Sequence, residues 1–129
     1  MKREIKFKAK RLDGKGWVEG SLIRSTTGIK ERAYIVDNFS SMSDYSVIGV
    51  DPSTVCQFTG LKDCDGKEVW EGDTLEGNRK AEIFFAQGAF LIRSIDDNGK
   101  ETLHSLFNYI EWNGKLMCRV VGNKFDKDK

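Results

Sequence analysis

The sequence holds one proline, one histidine and three cysteines in 129 residues, and almost no net charge. Each scarcity excludes something. An odd number of cysteines with no CxxC pair fits neither a disulfide framework nor a zinc site built from paired thiolates. Cys56, Cys64 and Cys118 are therefore expected as reduced thiols, as in a cytoplasm, where disulfides seldom persist. The single histidine, His104, has no recognisable nucleophile motif around it, so a Cys–His enzyme has no support. Neither GxGxxG nor a GK[ST] phosphate loop occurs. No apolar run approaches the ~18 residues a membrane helix requires. Residues 1–8 alternate charge with apolar side chains, unlike a secretory signal. The expectation is a soluble cytoplasmic protein with no membrane partner and no cofactor.

What is present points to a folded β protein. The 39% hydrophobic content and the eight Phe, three Trp and three Tyr argue against disorder. The length suits one folded unit, since domains most often hold ~100–150 residues. Residues 4–12 set Ile5, Phe7 and Ala9 against Lys6, Lys8 and Lys10, the two-residue alternation of a half-buried strand. Asp13-Gly14-Lys15-Gly16 is a turn, and residues 17–24 read as the return strand. Further strands are expected at 32–36, 46–50, 54–58, 80–86, 89–95 and 115–121, with a short extended stretch at 68–70 and a loop at 40–43. Leu103, Leu106, Phe107 and Ile110 recur at helical spacing, predicting a helix of two or three turns over 102–110 with Leu103, Leu106 and Phe107 buried.

The class is thus mainly β (a β-rich α+β protein): an N-terminal β-meander packed on a C-terminal barrel-like unit with one short helix. Residues 1–129 are read as a single folded unit with two lobes, 1–58 and 74–129, joined by a turn-rich segment, 59–73.

The near-zero charge is a cancellation. Residues 1–36 carry a net +6, residues 37–76 a net −7 and residues 77–129 a net +2. The basic positions Lys2, Arg3, Lys6, Lys8, Lys10 and Arg11 are candidate phosphate contacts. Against this, Phe7 falls on the face opposite the lysines, and single-strand binders place aromatics beside the charges for stacking. A solvated edge strand protected by lysines explains the same pattern.

The acidic middle holds Asp63, Asp65, Glu68, Glu71 and Asp73, so a divalent cation must be considered. With Asp63 as the first position of a calcium loop, glycine arrives fourth rather than sixth and Thr74 stands where the twelfth-position Glu belongs. The motif fails, and turn chemistry, with the carboxylates capping backbone donors, accounts for the cluster.

Phe58-Thr59-Gly60-Leu61-Lys62-Asp63-Cys64-Asp65-Gly66-Lys67-Glu68-Val69-Trp70-Glu71-Gly72-Asp73 resembles the signature of the YopX family, small proteins encoded by bacteriophages and prophages. The matching positions are Phe58, Thr59, Gly60, Leu61, Asp63, Gly66, Trp70, Glu71, Gly72 and Asp73. Residues 3–9, 87–90 and 121–123 also resemble the family; Lys10 and Cys64 depart from it. The resemblance implies a mobile-element origin, a bacterial host cytoplasm and a mainly β structure with an SH3-like C-terminal part. It carries across no catalytic residues and no cofactor. The expected role is that of a non-enzymatic accessory protein acting by binding a protein partner or itself, with some of Trp17, Trp70, Phe84, Phe85, Phe90 and Trp112 at an interface. Nucleic-acid binding through the basic strand is the alternative, and a metal-dependent hydrolase using the central carboxylates is a third class.

Overall fold

The computed structural model describes residues 4–26, 28, 30–41, 43–76 and 80–126. They form a mainly β protein of eleven strands: β1 (Phe7–Lys10), β2 (Trp17–Ser25), β3 (Arg32–Ser41), β4 (Asp44–Val50), β5 (Cys56–Lys62), β6 (Glu68–Trp70), β7 (Asp73–Leu75), β8 (Lys80–Ala86), β9 (Ala89–Ile95), β10 (Glu101–Ser105) and β11 (Val120–Asn123). All ladders between them are antiparallel. The chain divides into two compact units, residues 1–57 and 58–129.

In the first unit β1, β2 and β3 each pair with the strand that follows, and β1 also pairs with Cys56 and Gln57 at the start of β5. Alternation decides which side chains go inward. Ala9, Val18, Ala33, Ile35 and Val50 are buried together, with Phe7, Leu22, Ile48 and Val55 packed around them. Near one end, Leu12 N–H donates to Gly49 O (3.1 Å) and Asp51 N–H to Lys10 O (2.9 Å), which ties β4 back to the end of β1. Asp51 then accepts from Ser53 N–H and caps a single 3₁₀ turn, Pro52–Thr54. That turn, not a strand, holds Thr54: proline offers no ladder donor, and β5 starts at Cys56. β3 likewise continues to Ser41, through part of the segment read as a loop.

The second unit carries the sheet β10-β9-β8-β7-β11. β8 and β9 form a hairpin at Gln87-Gly88 in full register, from Lys80↔Ile95 to Ala86↔Ala89. One face packs on Val69, Leu106 and Leu116, contributing Leu75, Ile83, Ile92 and Val120 to the core. No ladder closes this sheet into a barrel among the described residues.

The helix expected over 102–110 is absent. Glu101–Ser105 is strand β10, paired with β9 from Glu101↔Ile95 to Ser105↔Leu91. Only Leu106–Tyr109 is helical, a 3₁₀ turn capped by Ser105 Oγ accepting from Phe107 N–H. Leu106 is 4% exposed, but Leu103 is 55% and Phe107 77% exposed. The i, i+3, i+4 spacing was incidental; five consecutive cross-strand pairs outweigh helix propensity over so short a segment. The closing strand also shifts: residues 115–119 hold only the isolated Ile110↔Leu116 bridge, and β11 begins at Val120. No helix among the described residues is long and apolar enough to cross a membrane.

Candidate functional site

Three places carry the chemistry singled out by sequence: the basic first strand, the acidic signature, and the exposed aromatics. The first strand is less free than its charge implies. Lys2 and Arg3 lie outside the described residues. Lys6 Nζ approaches Glu19 (3.2 Å) and Glu4 (3.6 Å), and Arg11 binds Asp13 at 2.7 Å. The Asp13 carboxylate, hydrogen-bonded by Arg11 and by Lys15 N–H, is held below the usual range. Lys8 and Lys10 stand beside an aromatic ring. Their Nζ atoms stand 4.5 and 5.0 Å from the centroid of Trp17. The hairpin register pairs Lys10 with Trp17, which puts the indole on the lysine face. Sequence reasoning missed this aromatic by looking along β1 alone; carrying the alternation through the turn finds it.

The signature residues all act within the second unit. Phe58 packs against Trp70 at 5.3 Å between ring centroids. Thr59 Oγ1 donates to Val69 O (2.7 Å) and accepts from Leu61 N–H (3.2 Å), joining the two strands at a ladder irregularity. Asp63 is fully buried. Its Oδ1 accepts from the N–H groups of Asp65 and Lys67, and its Oδ2 from Val120 N–H, each at 2.9 Å. Burial pushes this carboxyl up, yet the three N–H donors and the Lys67 charge outweigh it and hold it below the usual range.

A second buried carboxylate follows the same plan. Asp73 Oδ2 accepts from Trp70 N–H (2.7 Å) and Oδ1 from Asn123 Nδ2 (2.9 Å), while Asn123 Nδ2 also reaches Glu71 O (3.1 Å). Gly72 sits at φ +88°, and a Cβ there would stand 3.2 Å from Asn123 Nδ2. The backbone of Gly72 is engaged too, donating to Ile83 O and accepting from Lys124 N–H. Asp63 and Asp73 thus bind the turns that carry them to β11, with their oxygens occupied by backbone and amide donors. Asp65 points outward to Arg119 at 2.7 Å. Among the described residues no group of three or more His, Cys, Asp or Glu is arranged to hold a metal ion. His104 is half-buried in β10, edge-on to Tyr109.

Across the outer face of the second sheet lies an open groove of about 450 Å³, lined by Thr74, Glu82, Arg93, Ile95, Glu101, Asn123 and Lys124. Its charges compensate one another: Arg93 binds Glu82 (3.0 Å) and Glu101 (3.4 Å), and Lys124 lies 3.8 Å from Glu82.

The two most exposed aromatics, Phe107 and Trp112, lie on an arm, residues 106–117, while Tyr45 and Phe85 are exposed elsewhere. Two buried leucines fix its base: Leu106 and Leu116 both belong to the core. Met117 N–H donates to Tyr109 O, Leu116 N–H to Lys62 O, and Glu111 N–H to Lys115 O. Asn113-Gly114 makes the turn, with Asn113 Oδ1 accepting from Lys115 N–H. The arm presents Phe107 outward, Met117 at 49% exposure and Trp112 at 98%. The base is anchored in the core, and the tip sets Trp112 among the exposed Glu111, Asn113 and Lys115.

Comparison with curated proteins finds no match. The YopX protein family model matches residues 6–128, nearly the whole length, and the chain belongs to that family.

Proposed function

We propose that this protein is a non-enzymatic accessory protein of a bacteriophage or prophage that works by binding another protein chain, a second copy of itself included, through the arm at 106–117. The observation that carries this reading is Trp112, 98% exposed at the tip of an arm whose base is anchored in the core. A buried tryptophan removes ~150–250 Å² from water, and tryptophan is enriched among residues that dominate interfaces. Anchoring lowers the ordering cost of association, so the tip meets its partner preformed. The second sheet, in this reading, is an opened relative of an SH3-like barrel adapted to present that arm, and the bacterial cytoplasm is where it acts.

The test uses tagged wild type and a Phe107→Ser/Trp112→Ser double variant as baits in phage-infected cells, with an untagged copy of the chain co-expressed. The expected result is a protein, or the untagged copy, retained by wild type and lost by the variant. Retention of the same proteins by both overturns the reading.

One observation favours a second reading, binding of single-stranded nucleic acid: the Trp17 indole flanked by Lys8 and Lys10 supplies both stacking and charge. Titration of an oligonucleotide against salt tests it. Affinity should fall as salt rises and drop again in Trp17→Ala; affinity indifferent to salt removes it.

A further inference from the structure

Cys64 and Cys118 are far apart in sequence, yet their backbones are brought together by contacts on either side. Lys62 O accepts from Leu116 N–H at 2.9 Å. Asp63 Oδ2 accepts from Val120 N–H at 2.9 Å, and Asp65 binds Arg119 Nε at 2.7 Å. Cys64 stands between Asp63 and Asp65; Cys118 adjoins Arg119, between Leu116 and Val120. Both are free thiols, Cys64 exposed and Cys118 half-buried beside the core cluster. Burial pushes the Cys118 thiol up, and the neighbouring Cys64 adds to that rise. The third cysteine contrasts with them: Cys56 is buried in the first unit, its thiol donating to Thr54 O.

We propose that Cys64 and Cys118 form a reversible thiol–disulfide site that exchanges with small-molecule disulfides of the glutathione class. The exposed Cys64 reacts first. Its thiolate attacks one sulfur of the small disulfide, that S–S bond breaks, one small thiol leaves, and a mixed disulfide remains on Cys64. The Cys118 thiolate then attacks Cys64 Sγ, breaks the mixed disulfide and releases the second small thiol. The two protein thiols are oxidised, the small disulfide is reduced to two thiols, and the two thiol protons leave with them. Burial raises the Cys118 thiol and shields it from outside reagents, which suits a resolving thiol whose partner is the adjacent Cys64. The bond closes a loop over residues 64–118, fastening the signature turn to the segment entering β11.

The experiment treats the reduced full chain with glutathione disulfide over a series of thiol–disulfide ratios, traps free thiols by alkylation, and reads intact and peptide masses. The expected product is lighter by two hydrogens before alkylation, links Cys64 to Cys118, and leaves Cys56 alkylated. Cys118→Ser should stop at a glutathione adduct on Cys64. Cys64→Ser, an exposed replacement that should keep the thermal midpoint of the reduced wild type, should leave Cys118 unmodified. The oxidised protein should melt roughly 5–15 °C above the reduced form, because the crosslink restricts the unfolded chain. A wild type that stops at the Cys64 adduct, stays fully reduced, or links Cys56 overturns the proposal.

Discussion

Replacing Asp63 with alanine removes the acceptor for three backbone N–H groups at once. The three are not equal. Val120 is buried, and its orphaned N–H costs about 1–3 kcal/mol. The Asp65 and Lys67 N–H groups lie in an exposed turn where water takes over, at roughly 0.5 kcal/mol each. The total is about 2–4 kcal/mol, and at ~2.1 cal/mol/K per residue each kcal/mol moves the midpoint by about 4 °C, so Tm should fall by roughly 8–15 °C. Asn is no remedy, because its amide would turn a donor towards one set of donors. The control is Asp65→Asn in the same turn: it breaks only the exposed pair with Arg119 and should cost at most about 1 kcal/mol. Urea unfolding followed by tryptophan fluorescence gives the stabilities, and amide exchange at Val120 reads the local bond. An Asp63→Ala protein as stable as Asp65→Asn, with Val120 still protected, would refute the reasoning.

The remaining predictions concern the same latch and the corrected helix. Because the folded Asp63 carboxyl lies below its unfolded value, near 3.9, the native state binds fewer protons. Its contribution is complete above that value and is lost as pH falls from about 4 through the lower folded pKa; acid titration of stability should be shallower in Asp63→Asn. Gly72→Ala, at φ +88° with a Cβ crowding Asn123, should cost about 2–4 kcal/mol, against about 1–2 kcal/mol for Gly66→Ala at φ +85° in open space, by urea unfolding. Leu106→Ala should cost about 2–5 kcal/mol and Phe107→Ala under about 0.5 kcal/mol, since one is in the core and the other is in solvent. A buried helical face over 102–110 would make the two costs alike.

What could be read from sequence was what neighbours in the chain decide. The β8–β9 hairpin follows from alternation on both sides of Gln87-Gly88, and its strands run where the pattern runs. β10 does not, because its conformation is set by pairing with β9 rather than by its own spacing of leucines. The burial of Asp63 was equally hidden: its decisive partner, Val120 N–H, is 57 residues away. Composition signalled a surplus of aromatics but not which of them is exposed. Trp70 is buried against Phe58, while Trp112 projects because Leu106 and Leu116, not the tryptophan, fill the core beneath it. Trp17 was within reach of sequence, through the hairpin register that sets it opposite Lys10.

The most direct measurement of the binding account is the paired capture with wild type and the Phe107→Ser/Trp112→Ser variant, after equal thermal midpoints establish that both are folded. The account predicts a protein, or the untagged second copy, held by wild type and absent from the variant. Identical captures from both baits would contradict it.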